Sequence, residues 1–160
     1  RVDRRQRQMC IRDRFISMTK NIFISCDHGG FYLKEQIFEY LLKKSFKIID
    51  LGTKDPSSVD YPDYSNILVD KIKNNLDSMG ILLCGTGIGM SISANRHSHI
   101  RAALCTDEDM ARLSRQHNDA NVLVIGGRTT SLNSAKKIID VFVSTEFEKG
   151  RHIERLKKIS

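Results

Sequence analysis

Short apolar runs alternate with amphipathic stretches along most of the chain. Five of the runs have the length of strands, and most of them are rich in β-branched residues or leucine with little alternation of polar positions. Such continuous runs are typical of parallel strands that are buried on both faces of a sheet. The predicted strands cover residues 21–26, 47–51, 80–84, 101–105 and 122–125.

The segments between these runs carry apolar residues at helical spacing. Helices are predicted around residues 33–41, 67–72, 106–116, 138–143 and 151–159. In the third of them Thr106 is the expected N-cap, with acidic residues in the first turn. Five strands with intervening helices predict a single-domain α/β fold, a three-layer α/β/α sandwich around a five-stranded, parallel, Rossmann-like sheet.

The net charge of +7 is concentrated at the start of the chain. Residues 1–17 hold six arginines and two aspartates, which leaves a charge of only +3 for the remainder. This surplus is too small to predict a nucleic-acid surface. No apolar run approaches the ~20 residues that a membrane span requires. We therefore expect neither nucleic acid nor a membrane as a partner.

The arginine-rich start has no apolar core of signal-peptide length and no amphipathic continuation into the fold. Mitochondrial presequences are also rich in arginine, but this segment holds little serine and two acids. We expect residues 1–17 to be a non-native or disordered extension, with Met18 as the start. Residues 18–160 then form the one functional domain.

The four cysteines show neither a CxxC pair nor the spacing of metal ligands. Free thiols in a reducing cytoplasm are therefore expected, with Cys26 and Cys105 as small core residues. Cys84 differs because a glycine-rich loop, residues 85–89, follows it, and the amides of such a loop would favour a thiolate. A thiolate can remove a carbon-bound proton. On this loop alone, a ligand site and a simple strand-to-helix turn are equally compatible with the sequence.

Polar clusters adjoin several of the predicted strand ends. Asp27-His28 follows the first strand, Cys84 ends the third and Arg128 follows the fifth, whereas His117-Asn118-Asp119 precedes the fifth. Ligands of open parallel sheets bind beyond the carboxyl ends of the strands, so we expect these clusters to converge on one site.

Two further groups have an ordinary structural explanation as well as a functional one. Arg151 and Arg155 are four residues apart on a predicted helix and could clamp a phosphate, although a solvated basic helix end explains the spacing better. Tyr61, beside Pro62 at a predicted helix start, could line the rim of the site or simply pack.

Five segments together resemble the type B ribose-5-phosphate isomerases, a family that includes galactose-6-phosphate isomerase subunits and an allose-6-phosphate isomerase. Several motifs in the family's order are far more specific than one. The segments begin at Asp27, Asp60, Cys84, Ser114 and Gly150, and the resemblance runs from Lys20 to the C-terminus. It implies an isomerase of the pentose phosphate pathway that interconverts ribose 5-phosphate and ribulose 5-phosphate through an enediolate, with neither a metal nor an organic cofactor.

The resemblance also implies a role for each matching residue. Cys84 would move the proton with help from Thr86, and His117 would open the furanose ring with support from Asn118 and Asp27. The loop that contacts the substrate and its enediolate comprises Gly85, Thr86, Gly87, Ile88 and Gly89. The residues expected to hold the phosphate are His28, Arg128, Arg151 and Arg155.

Another branch of the family has a glutamate base just after the glycine loop, where this chain has Met90. Because methionine cannot move a proton, the resemblance leaves Cys84 as the base. It also implies a homodimer in which two subunits share each site, while a tetramer stays open. The alternatives are the same chemistry on a six-carbon sugar phosphate and a non-catalytic nucleotide- or phosphate-binding module with the same loop.

Overall fold

The computed structural model describes residues 20–159, so the expectation for residues 1–17 lies outside the described residues. Strands and helices alternate along this part of the chain. The strands are β1 (Asn21–Cys26), β2 (Lys47–Asp50), β3 (Met79–Cys84), β4 (Ala102–Leu104) and β5 (Val122–Gly126). The helices are α1 (Phe31–Lys43), α2 (Tyr61–Lys73), α3 (Ile88–Ala94), α4 (Glu108–Asn118), α5 (Leu132–Ser144) and α6 (His152–Lys157).

The strands form one parallel sheet in the order β2-β1-β3-β5-β4. In the sheet, β2 lies on one side of β1, and β3 lies on the other side. The strand order therefore reverses between β1 and β3, where their carboxyl ends open a crevice. The predicted five-stranded, parallel, single-domain α/β fold is confirmed.

The two faces of the sheet are covered by different helices. Ile22 and Ile24 of β1 pack in a core with α1, α4 and α5, whereas the intervening Phe23 packs in a second core with α2 and α3. Alternate residues of a strand point to opposite faces, which explains why consecutive positions such as Ile22, Phe23 and Ile24 are all apolar. No helix within residues 20–159 is long and apolar enough to cross a bilayer.

Cys26 and Cys105 belong to the first of these cores, as predicted. They are 0% and 1% exposed, respectively. Burial raises the pKa of the Cys26 thiol to about 12 and that of the Cys105 thiol to about 11. Both side chains are therefore neutral thiols at physiological pH.

The start of α4 differs from the prediction. Asp107, not Thr106, is the N-cap, and its Oδ1 accepts a hydrogen bond from the backbone N–H of Met110 at 2.8 Å. Both residue types can cap a helix, but a carboxylate is the stronger acceptor and also favours the positive end of the helix dipole. The Thr106 hydroxyl contacts the sulfur of Met110 instead.

Candidate active site

Cys84 is the last residue of β3, at the carboxyl edge where the crevice opens. Its carbonyl oxygen accepts a hydrogen bond from Gly127 N at 2.7 Å, which fixes the peptide against the end of β5. Its side chain packs in the same core as Met90, which is fully buried. Cys84 is 5% exposed, so its thiol is sheltered from bulk solvent.

The glycine loop turns back over this thiol. Gly87 has a φ of 82°, a left-handed conformation that favours glycine, and its N–H donates to Cys84 Sγ at 3.2 Å. A Cβ at Gly87 would lie 2.5 Å from Leu104 Cδ1 and 3.2 Å from the carbonyl carbon of Ile125, so a side chain there would force its neighbours to shift. The loop therefore brings a backbone amide close to the sulfur in a conformation that favours glycine.

Asp27 fixes the neighbouring loop at the end of β1. Its Oδ1 accepts hydrogen bonds from Gly29 N at 2.8 Å and Gly30 N at 3.2 Å, while no described residue donates to Oδ2. A Cβ on Gly29 would lie 2.7 Å from Gly85 N, which shows how closely the two loops pack. A buried carboxylate with one free oxygen thus lies beside the glycine loop.

His28 is held by the segment that precedes α2. The backbone N–H of Val59 donates to His28 Nδ1 at 3.1 Å. Because an amide can only donate, Nδ1 carries no proton, and the neutral ring has its proton on Nε2. His28 is partly exposed and offers a single N–H donor suited to an anionic oxygen.

Two more side chains flank the glycine loop. The Tyr61 ring covers Gly89, since a Cβ there would lie 2.8 Å from Tyr61 Cζ. Arg128 donates its backbone N–H to Gly85 O at 2.9 Å, and its guanidinium lies over the same glycine. The carboxyl-edge cluster, as we call it, comprises Asp27, His28, Tyr61, Cys84, residues 85–89 and Arg128.

His117 lies at the opposite edge of the sheet. It occupies the last turn of α4, which ends at Asn118. The backbone oxygen of Asn118 accepts a hydrogen bond at 2.9 Å from Nε of Arg101, the residue just before β4. The six residues of β3 separate this edge from Cys84 by roughly 17 Å, five steps of about 3.3 Å. The expectation that His117 converges with Cys84 is therefore wrong within one chain, because a helix between parallel strands returns to the amino ends.

Arg151 and Arg155 share this edge with His117. The first residue of α6 is His152, and its ring stacks on that of His117 with 4.4 Å between centroids and an interplanar angle of 18°. Both arginines are exposed on either side of this contact. The amino-edge cluster, as we call it, comprises His117, Asn118, Glu148, Arg151, His152 and Arg155.

A buried arginine holds this edge together. Arg115 Nε donates to Thr145 O at 3.1 Å, and Nη1 donates to Asp119 Oδ1 at 2.9 Å. The same guanidinium lies over the Phe142 ring. Arg115 therefore fixes the end of α4 to the end of α5. The spacing of Arg115 and Asp119, opposite charges four residues apart, is the signal that would have identified the pair in the sequence.

Sequence reasoning also missed Glu148 and His152 as members of a site. His152 belongs to a segment that resembles the isomerases, but nothing in its spacing distinguishes it from a surface residue. Glu148 lies in a charged stretch between α5 and α6. Only the fold shows that the His152 ring stacks on His117 and that the Glu148 carboxylate lies beside it, because residues from three separate segments meet there.

The comparisons with known proteins agree with this geometry. The sequence model of the family described as Ribose/Galactose Isomerase matches residues 22–159. A putative sugar phosphate isomerase of Rickettsia bellii is 51% identical over 141 residues, which cover 88% of this chain and 98% of that protein. Ribose-5-phosphate isomerase B of Escherichia coli is 42% identical over 141 residues, covering 88% of this chain and 95% of that protein.

Solved structures show the same relationship. A ribose 5-phosphate isomerase from Thermotoga maritima superposes with a TM-score of 0.86 at 52% identity, covering 88% of this chain and 97% of that one. The type B ribose 5-phosphate isomerase of Trypanosoma brucei gives a TM-score of 0.84 at 42% identity, covering 89% of this chain and 97% of that one. Both the fold and nearly the full length of the described chain are thus shared with isomerases.

Proposed function

Because the chain belongs to the ribose/galactose isomerase family, we propose that this enzyme interconverts ribose 5-phosphate and ribulose 5-phosphate. Relatives and structural neighbours named as ribose-5-phosphate isomerases support this substrate. The observation that carries the proposal is the Cys84 thiol, which accepts a hydrogen bond from the Gly87 amide at the end of β3, in the same cluster as the buried Asp27 carboxylate. An isomerase requires such a base next to donors for a developing oxyanion.

The central step is a proton transfer between neighbouring carbons. The Cys84 thiolate takes the proton from C2 of the open-chain aldehyde, and the electron pair moves toward O1 to give an enediolate. Return of that proton to C1, with transfer of the hydroxyl proton from O2 to O1 assisted by Thr86, gives the ketone. The atoms balance without an oxidant or reductant, and we expect neither a metal nor an organic cofactor to be required.

The glycine loop stabilises the enediolate in this scheme. Amides of residues 85–89 approach the substrate oxygens because the loop has no side chain at three of its five positions. Gly87 already directs its N–H at the sulfur, and Ile88 N donates to Thr86 Oγ1 at 3.3 Å. Developing negative charge is thus stabilised where the proton is removed, while Tyr61 and Ile88 line the rim.

Ring opening and phosphate binding use residues of both clusters. His117, supported by Asn118, gives a proton to the ring oxygen, and Asp27 accepts the proton of the anomeric hydroxyl. The phosphate is held by His28 and Arg128 from the carboxyl-edge cluster and by Arg151 and Arg155 from the amino-edge cluster. Arginine suits this role because its fork of donors matches phosphate oxygens.

Since these clusters lie on opposite edges of one chain, we propose that two copies complete each site. In a two-fold pair, the carboxyl-edge cluster of each subunit meets the amino-edge cluster of its partner, which yields two equivalent sites. Ile88 and Ile92, 54% and 57% exposed on α3 beside the glycine loop, supply an apolar surface for such a contact. A tetramer built from such dimers is compatible with the same arrangement.

We also propose that the enzyme acts in the reducing cytoplasm. Cys26, Cys84 and Cys105 are free, and all three are buried. Disulfides persist in oxidising compartments and are rare where thiols are kept reduced. A base that works as a thiolate also depends on protection from oxidation.

Activity assays on ribose 5-phosphate, allose 6-phosphate and galactose 6-phosphate test the substrate. We expect the highest kcat/KM on ribose 5-phosphate, and preference for a six-carbon sugar would reassign it. A phosphate-binding module without catalysis would bind ribose 5-phosphate and turn over none of the three.

Subunit complementation tests the shared site. Cys84→Ala and His117→Ala should each be nearly inactive, and unfolding and refolding an equal mixture should restore about a quarter of wild-type activity, because half of the dimers are mixed and each has one intact site. A site contained in one chain would restore nothing. Refolding each variant alone is the matched control.

A further inference from the structure

One carboxylate oxygen lies beside both imidazoles of the amino-edge cluster. Glu148 Oε2 is 3.5 Å from His152 Nε2 and 4.0 Å from His117 Nε2. The backbone N–H of Glu148 donates to Gln116 O at 3.0 Å. The backbone of Glu148 is therefore anchored to the same helical turn that carries His117.

His152 provides a fixed surface for the His117 ring. The His152 side chain is 5% exposed at the start of α6, whereas that of His117 is 38% exposed. The two rings stack at 4.4 Å. A buried ring in a packed environment has one orientation, and the exposed ring that stacks on it is held by that contact. One face of His117 is thus covered, and its nitrogens remain at the rim.

The arrangement differs from that of a metal centre. Three ligands of a tetrahedral ion direct their lone pairs toward one point. Here the two rings are nearly parallel, with 18° between their planes, so their in-plane lone pairs run side by side. The Glu148 carboxylate instead lies near the Nε2 atoms of both rings, where it can hold or pass a proton.

We propose that Glu148 is a positioning residue for ring opening by His117, an inference that rests on the proposed function. In this step the C1–O4 bond breaks, O4 takes a proton from His117, and the anomeric hydroxyl gives its proton to Asp27 as the C1 carbonyl forms. His117 must then regain a proton. Glu148 is half-exposed and lies within one bridging water of His117 Nε2, so it relays that proton from solvent.

Ribulose 5-phosphate separates ring opening from the carbon proton transfer. Its C5 oxygen carries the phosphate, so it cannot close a five-membered ring on C2. Cys84 can therefore exchange the C1 hydrogen of ribulose 5-phosphate with solvent while His117 is idle. Deuterium uptake at C1 in D₂O reports the proton transfer, and conversion of the furanose ribose 5-phosphate reports ring opening as well.

The test compares these two rates in Glu148→Gln, which keeps the shape of the side chain and removes its charge. We expect conversion of ribose 5-phosphate to fall roughly tenfold, a part of the ~10²–10⁴ that acid–base catalysis supplies, while deuterium uptake stays at the wild-type rate. Glu148→Asp, which retains the carboxylate, should recover part of the conversion. Glu154→Gln is the matched control, because Glu154 pairs only with Lys157 on the exposed face of α6, and it should change neither rate.

Three results would overturn the inference. An equal fall of both rates in Glu148→Gln would assign Glu148 a general structural role, and unchanged conversion would remove it from ring opening. Equal impairment of the Gln and Asp variants would rule out a role for the charge. If the wild-type enzyme converted no ribose 5-phosphate, the proposed function itself would fail, and the inference with it.

Discussion

The backbone N–H of Gly87 donates a hydrogen bond to the sulfur of Cys84 across the turn that joins β3 to α3. A sulfur that accepts a hydrogen bond from an amide is oriented as a proton acceptor, as a catalytic base must be. Cys26 and Cys105 lie in the core on the other face of the sheet, where burial raises the pKa of both thiols. The position of Cys84 at a strand end against the glycine loop distinguishes it from the other two cysteines that the structure describes.

Replacing this sulfur tests its role. Cys84→Ser should lower kcat roughly 10²–10⁴-fold, because a hydroxyl is a far weaker base, while substrate binding is largely kept. Cys105→Ser is the control. Because Cys105 is buried away from the crevice, this variant should retain the turnover number of the wild type. Steady-state kinetics measures kcat, and equilibrium binding measures the affinity for substrate. Near-normal turnover by Cys84→Ser would show that Cys84 is not the base.

Gly87 of the glycine loop should also tolerate a side chain poorly. Gly87→Ala places a Cβ at a φ of 82° and 2.5 Å from Leu104 Cδ1. The cost of backbone strain is therefore added to the cost of overpacking against Leu104. We expect the free energy of unfolding to fall by about 2–4 kcal/mol. Gly150→Ala has a similar φ of 55° but nothing within 4 Å, and it should cost only about 1 kcal/mol. Urea unfolding of both variants measures the difference, and equal losses would contradict a packing effect at Gly87.

Arg155 should act on binding more than on chemistry. Arg155→Ala should raise KM roughly ten- to a hundredfold, the effect of losing one charge-assisted hydrogen bond to phosphate, with a smaller change in kcat. Arg112→Ala is the control, because Arg112 pairs with Asp109 on the surface of α4 and should leave KM unchanged. An unaltered KM in Arg155→Ala would exclude this residue from the phosphate site.

Alkaline pH should destabilise the fold through Cys26. Its thiol has a pKa of about 12 in the folded chain and an ordinary value of 9.0 when exposed, so the unfolded chain loses this proton first. Stability from this group is complete below pH 9 and is lost as the pH rises toward 12. The free energy of unfolding of Cys26→Ala should therefore fall less steeply between pH 8 and about 11 than that of the wild type. Parallel slopes would contradict this assignment.

Much of the fold is predictable because its strands are buried on both faces. Continuous apolar runs such as that of β3 identify parallel strands, and residues that follow them, such as Asp27, must lie at the carboxyl edge. The same rule places His117, which precedes β5, at the other edge. The expectation of convergence is wrong because it treats residues before and after a strand alike.

Other features depend on contacts that no local pattern encodes. The Val59 amide that fixes His28 comes from an irregular loop, where neither periodicity nor composition predicts a backbone direction. Glu148 and His152 meet His117 where Arg115 ties two helix ends together. Such contacts between distant segments follow from tertiary packing, which a single sequence does not reveal.

The placement of the two clusters on opposite edges of the sheet has a consequence for how the protein behaves on dilution. On the proposed pairing, a lone subunit retains a base without a ring-opening acid, and two of its phosphate ligands are out of reach. Specific activity then depends on protein concentration and declines as dimers separate, even though each subunit stays folded. The affinity between subunits thereby sets the lowest concentration at which the enzyme can work.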